Sequence, residues 1–563
     1  MIPRLRFALL VSCVFALLIP AGGASAADRE VRLFRDIIPG PSSSIRGPVF
    51  ARSDSIFTFV FDTRGTEPWN VTESSAAIAK DVFPGPESSF GMSGYVQLGN
   101  DVYFTAHTET QGVELWRTDG DSIKMVTNIP GPDGFDPGNL TAMGGYVYFS
   151  ASTPATGSEI FRANASGVSL VKDIVPGASG SFPTELTAFG NQLLFSASEP
   201  GVGAEPWRTD GVTTNRIADL YPGNTSSYPG DFATFEGNAY FRATAGAQGY
   251  ELFKTDGTTI TPLGDLNPTG NSSPGSITAT PSGVFMSATD GVSGFEPYRT
   301  TGGTPVRVAD INPTGDSYPS YFTQFGGKVY FRGQNENFGG ELYTTTGSGA
   351  TLLRDIYPGK AGSSPQDLTE IDGALYFQAE TPATGSEPWI IDEAGLRQIA
   401  DLLPGYEGSE PEDFLKFKDK VVFSADDGTH GFELMQYAPP IPDTTVTIKI
   451  EGRFAGIAKK GFAAIKLTCP ADEDGGCRTK LSLVTRKKVK FKGKKRKVKI
   501  ATKNITVLPG KTGTAKIKFS KAKLALLRSS KSARKVTVIA KVSDKAGNRK
   551  TVKKNYTLGK PPK

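Results

Sequence analysis

The sequence predicts an all-β chain: a β-propeller of about nine four-stranded blades, with eight as the alternative, followed by a β-sandwich. Three observations predict it. The stretch Gly112-Val113-Glu114-Leu115-Trp116-Arg117-Thr118-Asp119-Gly120 recurs as Gly203 to Gly211 and as Gly249 to Gly257. Looser copies centre on Glu67, Glu159, Glu296, Glu341, Glu387 and Glu433, so nine copies follow one another at steps of 45 to 47 residues. A period of that length marks a stacked or radial repeat. Next, each repeat holds short apolar–polar alternations separated by Asn-Gly, Asp-Gly and Gly-Asn pairs, which tolerate positive φ and turn hairpins. Last, the charge divides. Residues 441–563 hold 35 Lys+Arg against 6 Asp+Glu, net +29, which leaves 27 against 51, net −24, for residues 1–440.

The first 26 residues read as a secretory signal. Arg4 and Arg6 give a positive start, Phe7 to Ile19 is an apolar run, and Ala24-Ser25-Ala26 is a small-residue cleavage site. Leu10 to Cys13 also resembles a lipoprotein box, but the strongly apolar run after Cys13 favours cleavage after Ala26. No later stretch reaches the ~18 to 20 apolar residues a membrane span requires. The expected location is therefore secreted or cell-surface, with no transmembrane segment in the mature chain. Cysteine use fits export: cleavage removes Cys13 and leaves Cys469 and Cys477, an even pair that suggests a disulfide. Two thiols without a nearby histidine do not fill a zinc shell.

The repeat array spans residues 31–437. In the copy ending at Glu251, Thr214 to Leu220, Phe232 to Phe235 and Ala239 to Ala243 read as strands, and Gly249 to Phe253 completes four. Four strands per ~45 residues is a propeller blade, whereas β-solenoid repeats are usually shorter. The chain enters with Val31 to Asp36, which lacks a complete blade before it, and ends on Glu433 to Tyr437 with no further strand of the repeat. The entering strand is therefore expected to complete the last blade, which removes open edges. The first repeat is irregular around Arg46 to Phe61, which is why eight blades remain an alternative.

Glu114 to Gly120, and Glu251-Leu252-Phe253-Lys254-Thr255-Asp256-Gly257-Thr258, resemble the Glu-Leu-Trp-x-x-Asp-Gly-Thr repeat family of exported bacterial proteins. The resemblance implies a propeller-like repeat on secreted or surface proteins and no defined activity. Several copies depart from it: Pro68, Pro206, Pro297 and Pro388 replace the Leu, and no Asp-Gly follows Trp69 or Trp389.

All four tryptophans (Trp69, Trp116, Trp207, Trp389) occupy the aromatic position of the motif, where the other copies place Phe161, Phe253, Tyr298, Tyr343 and Met435. Core packing is a better account of them than sugar platforms. The motif Glu lies two residues from the aromatic and so shares its strand face. A second carboxylate recurs as Asp36, Asp81, Asp173, Asp219, Asp265, Asp310, Asp355 and Asp401, with Asn128 in the third copy. The ordinary expectation is that these groups accept hydrogen bonds from loop N–H groups and hold blades together. A ring of carboxylates for cations, calcium being the one cofactor left open, is the functional alternative. Near-identical copies argue against catalysis, because a catalytic site needs different residues in different roles. His107 and His430, the two histidines, lie before a motif Glu in the second and ninth repeats and have no partner motif. Thr118 to Ser122 resembles a calcium loop only in part, lacking the alternating acids and the distal Glu. No Gly-x-Ser-x-Gly elbow, phosphate loop or zinc motif is present.

A Pro-rich linker, 438–444, precedes the basic domain 445–563. About seven alternating runs between Thr445 and Tyr556 predict an immunoglobulin-like sandwich. Val542-Ser543-Asp544-Lys545-Ala546-Gly547-Asn548 is similar to the terminal hairpin of bacterial Ig-like domains. The densest charge comprises Arg486, Lys487, Lys488, Lys490, Lys492, Lys494, Lys495, Arg496, Lys497 and Lys499, with Gly493 placed to turn a hairpin. Such a run is either a solvated edge that blocks strand addition or a site for an anionic cell-wall polymer or polysaccharide. Nucleic acid is not expected, since no stacking aromatics beyond Phe491 interleave it. The function expected from these features is a non-catalytic exported binding or adhesion scaffold, with a protein or glycan ligand on the long-loop face. The alternative is an extracellular propeller enzyme acting on carbohydrate.

Overall fold

The computed structural model describes residues 29–129, 134–438, 448–452, 454–458, 461–470, 477–508, 510–543 and 549–562. The expected signal peptide, most of the Pro-rich linker and residues 544–548 of the expected Ig-like hairpin lie outside them. The chain divides into two compact units at Pro440/Ile441.

The first unit is a nine-bladed β-propeller. Nine four-stranded antiparallel sheets follow one another along the chain. In blades 1 to 8 the four strands run in sequence order. Blade 5, for example, is Gly230–Phe235, Asn238–Thr244, Tyr250–Thr255 and Ile260–Pro262. The first strands of successive blades neighbour one another, so they are the innermost. Blade 9 takes Glu412–Phe417, Lys420–Asp426 and Phe432–Ala438 from the end of the array and its fourth strand, Glu30–Arg35, from the beginning. Val31 pairs with Tyr437 and Leu33 with Met435, which closes the ring as the sequence predicts. The blade count is nine rather than eight. The irregular first repeat still forms a sheet, although its inner strand is reduced to Phe50–Ala51. The stretch read from 214 as a strand to Leu220 pairs only over Thr214–Arg216, the outer strand of blade 4. Beyond it the backbone turns toward the next blade.

Blade cores explain the aromatic of the motif. It stands directly opposite an apolar residue of the second strand in eight blades: Phe104 faces Trp116, Phe195 faces Trp207, Phe331 faces Tyr343 and Phe377 faces Trp389. Rings pair at centroid distances of 6.5 Å for Phe195–Trp207 and 5.9 Å for Phe241–Phe253. All nine motif residues at this position are buried. The indole N–H groups of Trp207 and Trp389 donate to the carbonyls of Ala197 and Ala379 at 3.1 Å. These aromatics are core, each contributing on the order of 2 to 3 kcal/mol of apolar burial.

Inner strands carry a feature that the sequence pattern hides. In blades 3 to 9 the second residue of the strand (Asn139, Glu185, Asp231, Ser276, Tyr321, Asp367, Asp413) has φ between 51° and 59°. A register shift accompanies each one. These are β-bulges, which bend a strand and raise its twist, here at the axis of the ring.

The second unit has two sheets around one hydrophobic core. Lys449–Ile450, Phe462–Thr468 and Thr512–Lys518 form one; Phe454–Ala455, Arg549–Leu558, Lys535–Ser543, Cys477–Thr485 and Lys499–Val507 form the other, in that order. Ile465, Leu467, Leu481, Leu483, Ile517 and Val538 fill the space between them. A helix, Lys521–Ser529, follows Thr512–Lys518 and buries Leu526 and Leu527. Cys469 and Cys477 are both buried and form a disulfide with Cα atoms 5.8 Å apart, joining the two sheets. The bridge closes a short loop, which in the chain-entropy account limits it to about 2 to 3 kcal/mol. Replacing both cysteines by serine is accordingly expected to lower the unfolding free energy of this unit by about that amount in a urea titration, without unfolding it at 25 °C.

Candidate functional site

The motif carboxylates converge on one local geometry. Each lies in the third strand of its blade, and Glu67, Glu114, Glu159, Glu205, Glu251, Glu296, Glu341, Glu387 and Glu433 are all buried, eight of them with no exposed surface. Glu205 accepts from the backbone N–H of Leu220 at 2.8 Å, from that of Ser227 at 3.1 Å and from the Ser227 hydroxyl at 2.7 Å. Glu251 does the same with Leu266 and Ser272, Glu67 with Val82 and Ser89, and Glu341 with Tyr357 and Ser363. Glu159, Glu296 and Glu387 accept from the hydroxyls of Ser181, Ser317 and Ser409 at 2.6, 2.9 and 2.8 Å.

The donors lie on the connection that leaves one blade for the next. The first N–H donor follows the recurring Asp: directly in Asp219-Leu220 and Asp265-Leu266, one residue later in Asp173 to Val175. The serine sits just before the inner strand of the next blade, and its own carbonyl accepts from that blade's second strand, as in Thr244 N–H to Ser227 O at 2.9 Å. One buried serine therefore joins two blades, its hydroxyl to one and its carbonyl to the other. The ring junction follows the same rule: Ile37 N–H donates to Glu433 at 3.1 Å, Ser44 also bonds it, and Phe61 N–H donates to Ser44 O at 2.7 Å. Blade 2 departs, because Phe135 takes the place of the serine; Glu114 there accepts from Ile129 N–H at 2.8 Å and from Thr127. Glycine permits the close approach. A Cβ at Gly157 would stand 2.5 Å from the N of Gly180, and one at Gly180 would stand 2.3 Å from the N of Ser158.

Burial pushes all nine motif carboxyls above their ordinary range, against the lowering effect of their hydrogen bonds. The neighbouring recurring Asp adds to the rise in Glu159, Glu205, Glu251, Glu296, Glu387 and Glu433, and Glu433 reaches about 7. Among the described residues no group of three or more His, Cys, Asp and Glu side chains is arranged to hold a metal ion. The partial calcium-loop match at Thr118 to Ser122 is a turn, in which Asp119 accepts from the N–H groups of Asp121 and Ser122. His107 stacks on Phe83 at 5.3 Å, whereas His430 Nδ1 lies 2.7 Å from Asp427, which raises its pKa.

What the long-loop face exposes is different. The residue after the latch serine precedes a proline in blades 4 to 9 and has φ between 41° and 50°. In three of these blades it is aromatic: Phe182, Tyr228 and Tyr318 are 63%, 58% and 56% exposed. Two inter-blade cavities open beside such positions. One, of about 540 Å³ between blades 9 and 1, is lined by Arg46, Glu410, Glu412 and Asp413. Burial and the charges of Glu412 and Asp367 push the Asp413 carboxyl up to about 6. The other, of about 610 Å³, lies between blades 6 and 7. These positions were missed in the sequence, where non-glycine residues give no sign of a left-handed backbone.

In the second unit Val489–Phe491 and Lys494–Arg496 form the hairpin around Gly493, with φ of 50° at Lys492 and 78° at Gly493. Val489 and Val498 are buried, and the Lys523 ammonium stands 4.1 Å from the Phe491 ring centroid. All ten basic side chains from Arg486 to Lys499 are exposed. None of the ten is in an ion pair among the described residues.

No protein-family model matches this chain, and no curated protein matches it. Several solved structures are similar to it. A prolyl endopeptidase is 12% identical with a TM-score of 0.32; the match covers 60% of this chain and 53% of that one, so this chain spans about half of its length. A protein from Listeria monocytogenes is 9% identical, with a TM-score of 0.33, over 64% of this chain and 95% of that one. The SapL1 lectin, in complex with alpha methyl fucoside, is 11% identical with a TM-score of 0.20, over 54% and 96%.

The latch carboxyls give a pH dependence with a definite sign. Their folded-state pKa values lie above the ordinary 4.5, so their contribution is fully present below that value and is lost as pH rises through the folded values, last at about 7 for Glu433. Asp62, Asp119, Asp256 and Asp392 are shifted the other way by hydrogen bonds and ion pairs, and their contribution falls away below 3.8. The melting temperature of the propeller is therefore expected to rise between about pH 8 and about pH 5 and to fall again below about pH 4, as measured by differential scanning calorimetry.

Proposed function

We propose that this chain is a non-catalytic exported binding scaffold of the Glu-Leu-Trp-x-x-Asp-Gly-Thr repeat kind, with two separate tasks. The propeller presents a protein or glycan ligand site on its long-loop face. The basic domain attaches the molecule to an anionic cell-wall polymer. The observation that carries the reading is the hairpin at 486–499: ten exposed cations with no acidic partner among the described residues, anchored by Val489, Val498 and Phe491. A merely solvated edge does not require that concentration. The acidic propeller, net −26 once Arg4 and Arg6 leave with the signal, repels the same polymer. The repeated carboxylates support a scaffold because they are used inside the structure.

A second reading, an extracellular enzyme acting on carbohydrate, has one feature in its favour. Glu410, Glu412 and Asp413 line one cavity, and Asp413 is held near the pH at which an acid can donate.

Screening sets the test, since the Debye length falls from ~10 Å at 0.1 M salt to ~3 Å at 1 M. The full mature chain is expected to bind purified cell wall at low salt and to elute at high salt. Reversing Lys494, Lys495 and Arg496 to glutamate is expected to weaken low-salt binding at least about tenfold, with circular dichroism unchanged. Wall binding that is indifferent both to salt and to these reversals would remove the attachment role.

A further inference from the structure

The cavity between blades 6 and 7 differs from its counterparts in the ring, and the differences are those a ligand site needs. We propose that it binds a pyranose residue of a neutral glycan. This rests on the long-loop face being the ligand-bearing face.

Two aromatic rings are held there in a fixed stack. Phe295 and Tyr318 lie 5.8 Å apart, with their planes at 20°. A single carboxylate sets both: the Tyr318 hydroxyl donates to Asp316 Oδ2 at 2.7 Å, and the Phe295 N–H donates to Asp316 Oδ1 at 2.8 Å. Tyr318 nevertheless remains 56% exposed. A rigid, solvent-facing ring offers an apolar plane at little cost in side-chain entropy. At the position of Phe295 the flanking blades carry Tyr250 and Gly340; at that of Tyr318 they carry Ser273 and Ser364. Neither flanking junction assembles the aromatic pair.

The polar side of the cavity has its counterpart at one other junction, so the aromatic pair and the arginine together set this cavity apart. Arg332 stands where blades 6, 8 and 9 have Ser287, Gln378 and Ser424 and where blade 5 also has an arginine, Arg242, each paired across to its blade's inner strand. Its guanidinium lies over Gly340, where a Cβ would come within 3.1 Å of Nε. It makes no hydrogen bond or ion pair among the described residues. Ser276, Ser287 and Gln334 complete the wall. The cavity thus offers a stacking plane, a planar donor fork suited to two adjacent hydroxyls, and neutral donors and acceptors around them. Among the described residues no carboxylate lines it, whereas three line the cavity between blades 9 and 1.

The test is an array of neutral pyranose oligosaccharides probed with the full mature chain, followed by titration of the best binder. Wild type is expected to bind, and Tyr318→Ala and Arg332→Ala each to weaken binding at least about tenfold. Tyr318→Phe, which keeps the ring, is expected to stay within about threefold, and Phe182→Ala to leave binding unchanged. Melting temperatures of all variants control for folding. Absence of binding to every neutral sugar overturns the proposal. So does binding that Tyr318→Ala and Arg332→Ala leave intact; if Phe182→Ala or Tyr228→Ala then abolishes it, the long-loop-face reading stands and only this site falls.

Discussion

The structure depends on one repeated interaction: a fully buried carboxylate that gathers the chain as it passes from one blade to the next. A propeller must satisfy the backbone of every inter-blade connection, because these segments run between sheets and lack ladder partners. The motif glutamate supplies two acceptor oxygens from a rigid third strand, and the amide after the recurring Asp and the serine hydroxyl supply the donors. Hydrogen bonds to a charged acceptor are roughly twice as strong as neutral ones. They still do not offset the whole cost of burial, which is why every one of these carboxyls is displaced upward. Removing one partner leaves a buried charged group short of donors, at a cost of about 1 to 3 kcal/mol or more.

Much of this was legible in the sequence. Glu205 and Trp207 share a strand face, and that spacing pointed to a carboxylate beside a core aromatic that accepts from loop N–H groups, but not to its complete burial. The missing outer strand at Tyr437 implied the pairing with Val31. Ser181, Ser227 and Ser272 were also in plain view, 21 or 22 residues after their glutamates, but serine is common in loops and nothing local separates a latch from a turn. The bulges at Glu185 and Asp231 and the left-handed Phe182 and Tyr228 were not legible, since only tertiary constraint holds a non-glycine residue there. The helix Lys521–Ser529 escaped because a reading tuned to alternation passes over one short stripe, of which Leu526 and Leu527 are buried.

Function in this chain follows from what the latch leaves over. The most conspicuous polar residues of the repeat are consumed by architecture. Under the function proposed above, chemistry toward a ligand falls to positions that differ between blades: Tyr318 and Arg332 at one junction, Glu410, Glu412 and Asp413 at another. The basic domain solves a different problem with a different device. Its hairpin is fixed by two buried valines and a ring under Lys523, so the charges stand on a rigid support rather than on a loose tail.

Hydrogen exchange read by mass spectrometry tests the latch most directly. In the wild type the amides of Leu220 and Ser227, although outside any strand, are predicted to exchange as slowly as the strands Asn238–Thr244 and Tyr250–Thr255. In Glu205→Ala, protection is predicted to collapse first in 219–228 and then in the inner strand Gly230–Phe235, while blades on the far side of the ring keep theirs. Exchange of these two amides in the wild type as fast as that of exposed Gly223 and Asn224, or protection there that Glu205→Ala leaves untouched, would contradict the account.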